Sequence, residues 1–432
     1  MAGKIKKLLQ SIFLYRIYLL IVKHYRFWVQ DKLYPRIYKK YASKPVDENK
    51  VVFFEVGSSK LTNSFAFLYD TLSREYDYEL HCHFLLHTTV SKKEQRKRFK
   101  SFVKDIATAK YVFLNEATDL LSHVDLRKET VVTQLWHGCG AFKKFGLSTA
   151  DLLFGATADY MKTHPYHKGY THVTVSSEEV MWAYEEAMGY TRESGVVKPI
   201  GVSRTDIFFD EKQINDSFKS VYSLVPNAEG KKIILYAPTF RGHIAEAKAP
   251  DVLDIEMMKQ ALSDEYVLLI KHHPHVKNRP PVPENCRDFA FDVTNSLTIE
   301  ELICTADICI SDYSSLVYEY SLFEKPMIFL AYDLDEYFDW RGFYYDYYEL
   351  APGPVVITTE EITDFVKNIG EAFDKNRVVN FKQKFMSACD GHSTERIMNL
   401  VFGEALAKHR LAASKEDKKY HLIPSADDFY KN

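Results

Sequence analysis

The chain has no closely spaced cysteine pair. Its six cysteines, Cys82, Cys139, Cys286, Cys304, Cys309 and Cys389, are scattered without a CxxC. That favours a reducing compartment and argues against a disulfide framework or a zinc site. No GxGxxG and no GxxxxGKS/T occurs, so the dinucleotide and P-loop fingerprints are missing. No internal repeat of solenoid period and no long low-complexity tract is present. No apolar run reaches the roughly 20 residues that a membrane span needs. Residues 8–22, LLQSIFLYRIYLLIV, come nearest, but Arg16 interrupts them and no small-residue cleavage site follows. Acidic residues are nearly absent from the first 44 positions, which hold eleven Lys/Arg and only Asp31. That segment is +10 in a chain of net charge −3. This polarity predicts an anionic partner for the N-terminus. An amphipathic basic helix lying on a membrane fits it, and a helix packed on its own domain is the alternative. The remainder is net acidic with its basic charge terminal, which argues against a nucleic-acid binder.

What is present is ordinary in bulk. With 432 residues, 46% hydrophobic and 27% charged, the chain can bury a large core in two or three domains. Aromatics are high, at 14%, which suits sugar, base or headgroup contacts and equally suits a large core. Near-continuous apolar runs at 51–56, 80–86, 111–114, 131–136 and 172–177 predict five strands buried on both faces. Runs at 232–240, 266–273, 307–311, 326–331 and 354–358 predict five more. Helix-length segments such as 92–109 and 296–306 separate them, so parallel sheets with crossovers are expected. The two series imply two doubly wound domains. Expected boundaries are a basic membrane-associating segment at 1–48, an acceptor domain at 49–205, a donor domain at 206–400 and a polar tail at 401–432 that frays.

Ligands in such sheets bind outside the carboxyl ends of the strands, and four strand ends carry unusual chemistry. The first is Leu135-Trp136-His137-Gly138, followed by Cys139, Gly140 and Lys143-Lys144. An imidazole can take a proton near neutral pH and ammonium groups can hold phosphate; a core histidine beside a solvated lysine pair is the alternative. A Cys139 nucleophile paired with His137 is disfavoured by the i,i+2 spacing. The second end is Ala237-Pro238-Thr239-Phe240-Arg241-Gly242. The third, Lys271-His272-His273-Pro274-His275, offers several donors to a pyrophosphate; a metal reading lacks a nearby carboxylate. The fourth, Ser311-Asp312-Tyr313-Ser314-Ser315, can start a helix whose free N–H groups favour an anion, with Glu319 one turn on. An ordinary serine N-cap is the alternative there. The one DxD, Asp333-Leu334-Asp335, reads as a loop or an outer ligand.

Together these residues resemble the CDP-glycerol glycerophosphotransferase family, the teichoic-acid primases and polymerases of Gram-positive bacteria. The resemblance runs in order through LWHGCGAFKKFG, GVSRTD, YAPTFRG, KHHPH, ISDYSSLVYEYSLFEKPMIF, YDYYEL after RGF, and DGHSTERI. It implies a GT-B-like α/β fold of two Rossmann-like domains facing a cleft. It implies a CDP-glycerol donor and an acceptor hydroxyl on an undecaprenyl-diphosphate-linked saccharide or polyol-phosphate chain, with CMP leaving; CDP-ribitol or a capsular-polymer transferase are the rivals. It makes His137 the general base and His273 the second catalytic histidine, with Lys271 standing where the family has arginine. Arg241, Lys271, Ser314, Ser315, Glu319, Ser393 and Thr394 become donor and phosphate ligands, and Gly138, Lys143 and Lys144 lie on the acceptor side. No metal or other cofactor is implied. The expected location is peripheral, on the cytoplasmic face of an anionic membrane, and homo-oligomerisation is left open.

Overall fold

The computed structural model describes residues 16–18, 20–21, 24–25, 27–86, 89–153, 155–163, 165–243, 246–412 and 423–429. Two six-stranded sheets, parallel throughout, organise them. The first holds β1 (Asp47–Glu55), β2 (Glu79–Phe84), β3 (Ala109–Leu114), β4 (Val131–Gln134), β5 (His172–Thr174) and β6 (Val197–Lys198), in the order β2-β1-β3-β4-β5-β6. The second holds β7 (Lys232–Tyr236), β8 (Tyr266–Ile270), β9 (Ala290–Asp292), β10 (Ile308–Ser311), β11 (Met327–Leu330) and β12 (Val355–Val356), in the order β12-β11-β10-β7-β8-β9. Strand order therefore reverses between β1 and β3 in one sheet and between β7 and β10 in the other. A crevice opens at such points, outside the carboxyl ends.

All ten expected strands are present. The central ones are buried on both faces, as their apolar runs require: Val51 to Phe54, Ile233 to Leu235 and Val267 to Leu269 are each at most 1% exposed. β6 and β9, of two and three residues, were not expected. Several strands stop earlier than their apolar run. β4 ends at Gln134, β7 at Tyr236 and β8 at Ile270, so the residues beyond them leave the ladder as loops.

The N-terminal segment divides. Tyr34–Tyr41, preceded by one wide helical turn at Trp28–Leu33, docks on helix Lys92–Ile106. Tyr34 stacks on Phe99 with ring centres 5.5 Å apart, and the Tyr38 hydroxyl accepts the Arg127 N–H at 2.9 Å. Ile17, Tyr18, Leu20, Ile21, Tyr25, Phe27 and Trp28 instead remain exposed. Residues 1–15 of the expected amphipathic helix lie outside the described residues. Among the described residues no helix is long and apolar enough to cross a membrane.

The chain returns to the first sheet near its end. Helix Ser393–Phe402 places Ile397, Met398, Val401 and Phe402 in one core with Phe53, Phe65 and Phe113. Its start is capped in trans: the Ser393 and Thr394 N–H groups donate to the Asp206 carboxylate at 3.1 and 2.7 Å. The tail that was expected to fray is pinned at its far side, where the Ala426 N–H donates to the Ser59 carbonyl at 2.7 Å. Removing a cap of this kind typically costs about 1–2 kcal/mol. Asp206→Ala should lower stability by about 2 kcal/mol, read as a drop in denaturant midpoint at constant slope.

Candidate active site

β4 delivers a histidine by breaking its own backbone geometry. Trp136, two residues past the strand, has φ +60°, which is strained for a bulky side chain. The turn is held because the Trp136 N–H donates to Gln134 Oε1 at 3.0 Å and its carbonyl accepts the Ser64 hydroxyl at 2.9 Å. The His137 ring then stacks on Trp136 with centres 4.6 Å apart. Its Nδ1 lies 3.0 Å from the Asn115 carbonyl oxygen. A carbonyl can only accept, so Nδ1 carries the hydrogen and Nε2 presents a lone pair. Loss of hydration holds the His137 pKa below its usual value, only partly offset by the Asn115 bond. The shift favours the neutral ring, and Nε2 makes no hydrogen bond among the described residues.

His273 has the opposite polarity. Its Nδ1 accepts the His275 backbone N–H at 3.2 Å, so in the neutral ring Nε2 carries the hydrogen and can donate to a phosphate oxygen. Burial, with the positive fields of His275 and Lys143, pushes its pKa down to about 4. The ring packs against Phe240, with centres 4.8 Å apart.

Two glycines bring the histidine loop against the second sheet. An added Cβ at Gly138 would lie 3.5 Å from Ser315 Oγ. Ser315 precedes helix Leu316–Tyr320 without capping it through its side chain, and Ser314 and Ser315 are both half-exposed. Gly140, at φ +64°, is tighter still, for an added Cβ would fall 2.3 Å from the fully buried Tyr318 ring. Beyond it the loop is stitched to the second half. The Lys144 N–H donates to the Gly342 carbonyl at 3.1 Å, and the Tyr344 N–H to the Phe142 carbonyl at 3.2 Å.

The expected charged ligands divide. Lys143 is half-buried with Nζ 3.4 Å from the Tyr337 hydroxyl. Burial, then Arg341, lower its pKa to about 7 against the opposing pull of Asp312. It thus faces the β7/β10 crevice rather than the acceptor side alone. The Lys144 stem packs on Gly342. Arg241 is already neutralised: Nη1 lies 3.0 Å from Asp312 and Nη2 2.9 Å from Asp333, with the Tyr313, Tyr332 and Tyr337 rings 5.1–5.4 Å from the guanidinium. Asp333 of the DxD is therefore an ion-pair partner. Lys271 donates to the Thr294 carbonyl at 2.7 Å and to the Leu297 carbonyl, so two of its three N–H groups are taken by that loop. Ser393 and Thr394 are buried, and their amides hold Asp206 where a phosphate was expected. Cys139 is buried, and burial raises its thiol pKa well above the usual value, the reverse of what a nucleophile needs.

Glu319 was expected to meet a ribose or polyol hydroxyl. It is 4% exposed, with Oε1 2.8 Å from Arg204 Nε, and burial lifts its pKa to about 7 against the pull of Arg204. Arg204 was not singled out, although GVSRTD was. It also donates to Glu300 Oε1 at 3.0 Å and to the His137 carbonyl. An arginine amid the buried Val202, Ser203 and Thr205 was the available signal.

Residues 37–403 match the family model described as CDP-Glycerol:Poly(glycerophosphate) glycerophosphotransferase. The chain is 34% identical over 376 residues to the teichoic acid poly(ribitol-phosphate) polymerase of Bacillus spizizenii, covering 86% of this chain and 59% of that protein. It is 32% identical to the teichoic acid ribitol-phosphate primase of the same organism, covering 83% of this chain and 92% of the primase. To the teichoic acid glycerol-phosphate primase of Bacillus subtilis it is 31% identical, covering 65% of this chain and 70% of that one. Its fold is similar to that of the wall teichoic acid polymerase TagF, in a histidine-to-asparagine variant soaked with CDPG. The TM-score is 0.72 at 20% identity, covering 92% of this chain and 98% of that one.

The two glycines separate by consequence. Gly140→Ala meets both a left-handed backbone and the Tyr318 ring and should cost about 3 kcal/mol or more. Gly138→Ala makes only an ordinary contact and should cost under about 1 kcal/mol. Denaturant titration of the two variants checks the contrast.

Proposed function

The chain belongs to the CDP-glycerol:poly(glycerophosphate) glycerophosphotransferase family, and on that premise we propose that it moves a polyol phosphate from a CDP-polyol to a hydroxyl of a lipid-linked acceptor in teichoic acid synthesis, releasing CMP. The two halves act as a GT-B-like pair with the reaction between them. The observation that carries the reading is the opposite polarity of two neutral histidines, His137 offering a lone pair and His273 an N–H.

The acceptor oxygen attacks the polyol-bearing phosphorus, forming one O–P bond as the P–O bond to CMP breaks. His137 Nε2 takes the hydroxyl proton, and the adjacent Asn115 carbonyl accepts more strongly from Nδ1–H as the ring becomes charged. Charge grows on the departing CMP, and His273 Nε2–H, the Ser315 hydroxyl and Lys143 are the donors assigned to it. Arg241 contributes by holding Asp312 and Asp333 rather than by binding phosphate. The ribitol-phosphate relatives match 83–86% of the chain and the glycerol-phosphate primase 65%, which favours CDP-ribitol over CDP-glycerol as donor. The exposed Ile17, Tyr18, Leu20, Ile21 and Trp28 beside a basic segment support peripheral attachment to an anionic membrane at its cytoplasmic face.

Incubation with CDP-ribitol or CDP-glycerol and a lipid-linked acceptor, followed by CMP release and product mass, tests the reaction and the donor together. His137→Ala should lower kcat about 10²–10⁴-fold while the Kd for donor stays within about twofold; near-normal turnover removes the base assignment. The pH profile carries two signs. A neutral His137 is needed, so kcat should fall as pH drops through its depressed pKa. A protonated Lys143 is needed, so the KM for donor should rise above pH about 7, and Lys143→Arg should push that rise upward because arginine keeps its charge. Deleting residues 1–27, which precede the docked segment, should abolish flotation with anionic liposomes, and unchanged flotation would refute the attachment.

A further inference from the structure

A carboxylate at the floor of the first sheet's crevice takes no part in the chemistry above. Glu55, the last residue of β1, is 0% exposed. Both its oxygens accept from Asn115 Nδ2 at 3.1 Å, and Oε2 also accepts the Thr62 N–H at 3.1 Å. Asn115 Nδ2 further donates to Thr62 Oγ1 at 2.8 Å. Glu55 ends β1 and Asn115 directly follows β3, the two strands between which the sheet order reverses. A buried acid amid apolar strands costs stability that an apolar side chain would not, and burial raises its pKa to about 7 despite three donors. Such a group calls for a use other than packing.

That use lies one bond away. Asn115 is the first residue beyond the β3–β4 ladder, whose last pair is Leu114 with Gln134. Its carbonyl is therefore not aimed by sheet pairing, and it is this carbonyl that accepts His137 Nδ1–H. The flanking carbonyls of Leu114 and Glu116 are held by the Leu135 N–H at 2.7 Å and by Gln134 Nε2 at 3.0 Å, and the clamp to Glu55 fixes the Asn115 side chain between them. A second strut starts from the same place: Thr62, whose N–H Glu55 holds, precedes helix Asn63–Glu75, and Ser64 in its first turn donates to the Trp136 carbonyl.

We infer that Glu55 is a positioning residue for His137: by clamping the Asn115 side chain it aims the carbonyl that keeps His137 protonated on Nδ1, with the Nε2 lone pair facing the acceptor. The inference rests on the base role given to His137 above. It has the logic of a carboxylate behind a catalytic histidine, with an amide group placed between the two.

The test is histidine-selective 15N NMR of the full chain at pH 7, with the His137 signals identified by their loss in His137→Gln. In the parent protein Nδ1 should show the protonated shift and Nε2 the unprotonated one. Glu55→Gln puts an amide against the Asn115 amide and should leave His137 a mixture of tautomers, with kcat down about 100-fold and the KM for donor within about twofold. Asn115→Ala, which keeps the carbonyl but cuts the clamp, should do the same, and it serves alone if Glu55→Gln does not fold. The double variant should be no more than about twofold worse than the poorer single one, since both break one linkage. An unchanged tautomer in the folded variants, or losses that multiply, overturns the inference. If the parent protein turns over neither CDP-polyol, the base reading fails by itself and the tautomer measurement alone decides the role of Glu55.

Discussion

The Arg204 guanidinium is the contact on which the cleft depends. It leaves a segment that follows the first sheet, reaches the His137 carbonyl, and pairs with Glu319 and Glu300 of the second half at 2.8 and 3.0 Å. A largely buried ion triad of this kind is a poor source of stability, since desolvation offsets most of the attraction. What it supplies is registry. Removing Arg204 would strand two carboxylates side by side in a nonpolar setting, and Glu319, already raised to about 7, would stay protonated. The loop bearing His137 would then lose the one charged tie, among the described residues, between its own carbonyl and the opposite sheet.

With that tie in place the two halves meet through small residues and rings. Gly138 lies against Ser315 and Gly140 against Tyr318. Tyr318 in turn stacks on Phe381, with centroids 5.0 Å apart. The loop bearing His137 is held by the first sheet at its start and by Gly342 and Tyr344 at its end. It therefore belongs to neither half as a separate body, and a hinge motion that opened the cleft would have to break the short antiparallel stitch as well as the Arg204 pairs. Closure here is a packed state with its own interface.

The fold was readable because strands buried on both faces leave nearly unbroken apolar runs, and β1, β3, β7, β8, β10 and β11 all do so. The reactive strand ends were readable for the same reason: where such a run breaks at His137-Gly138 or at His273, polar residues leave the ladder at its carboxyl edge. What was not readable is which cations remain available. Arg241 is matched by Asp333, 92 residues away, and the Ser393 and Thr394 amides by Asp206, 187 and 188 residues away. Pairings at that separation follow from topology, and local sequence carries no trace of them. Glu55 and Asn115 went unnoticed because each sits inside or beside an apolar run, where a lone polar residue is ordinarily a satisfied core group.

The division of labour among the cations follows from their chemistry. Arginine keeps its charge when buried and forms planar bidentate pairs, so Arg241 can be locked between two carboxylates and three tyrosine rings and still act as a rigid brace. Lysine is a compact charge whose pKa yields to burial, and Lys143, lowered to about 7 beside Arg341 and Arg241 against the pull of Asp312, forms no ion pair among the described residues. On the proposed reading, an incoming diphosphate would supply that negative charge and restore the lysine's proton affinity, so donor binding and protonation of Lys143 would be linked, each strengthening the other. The crevice thus holds a brace that must not move and a cation whose charge is completed by the ligand.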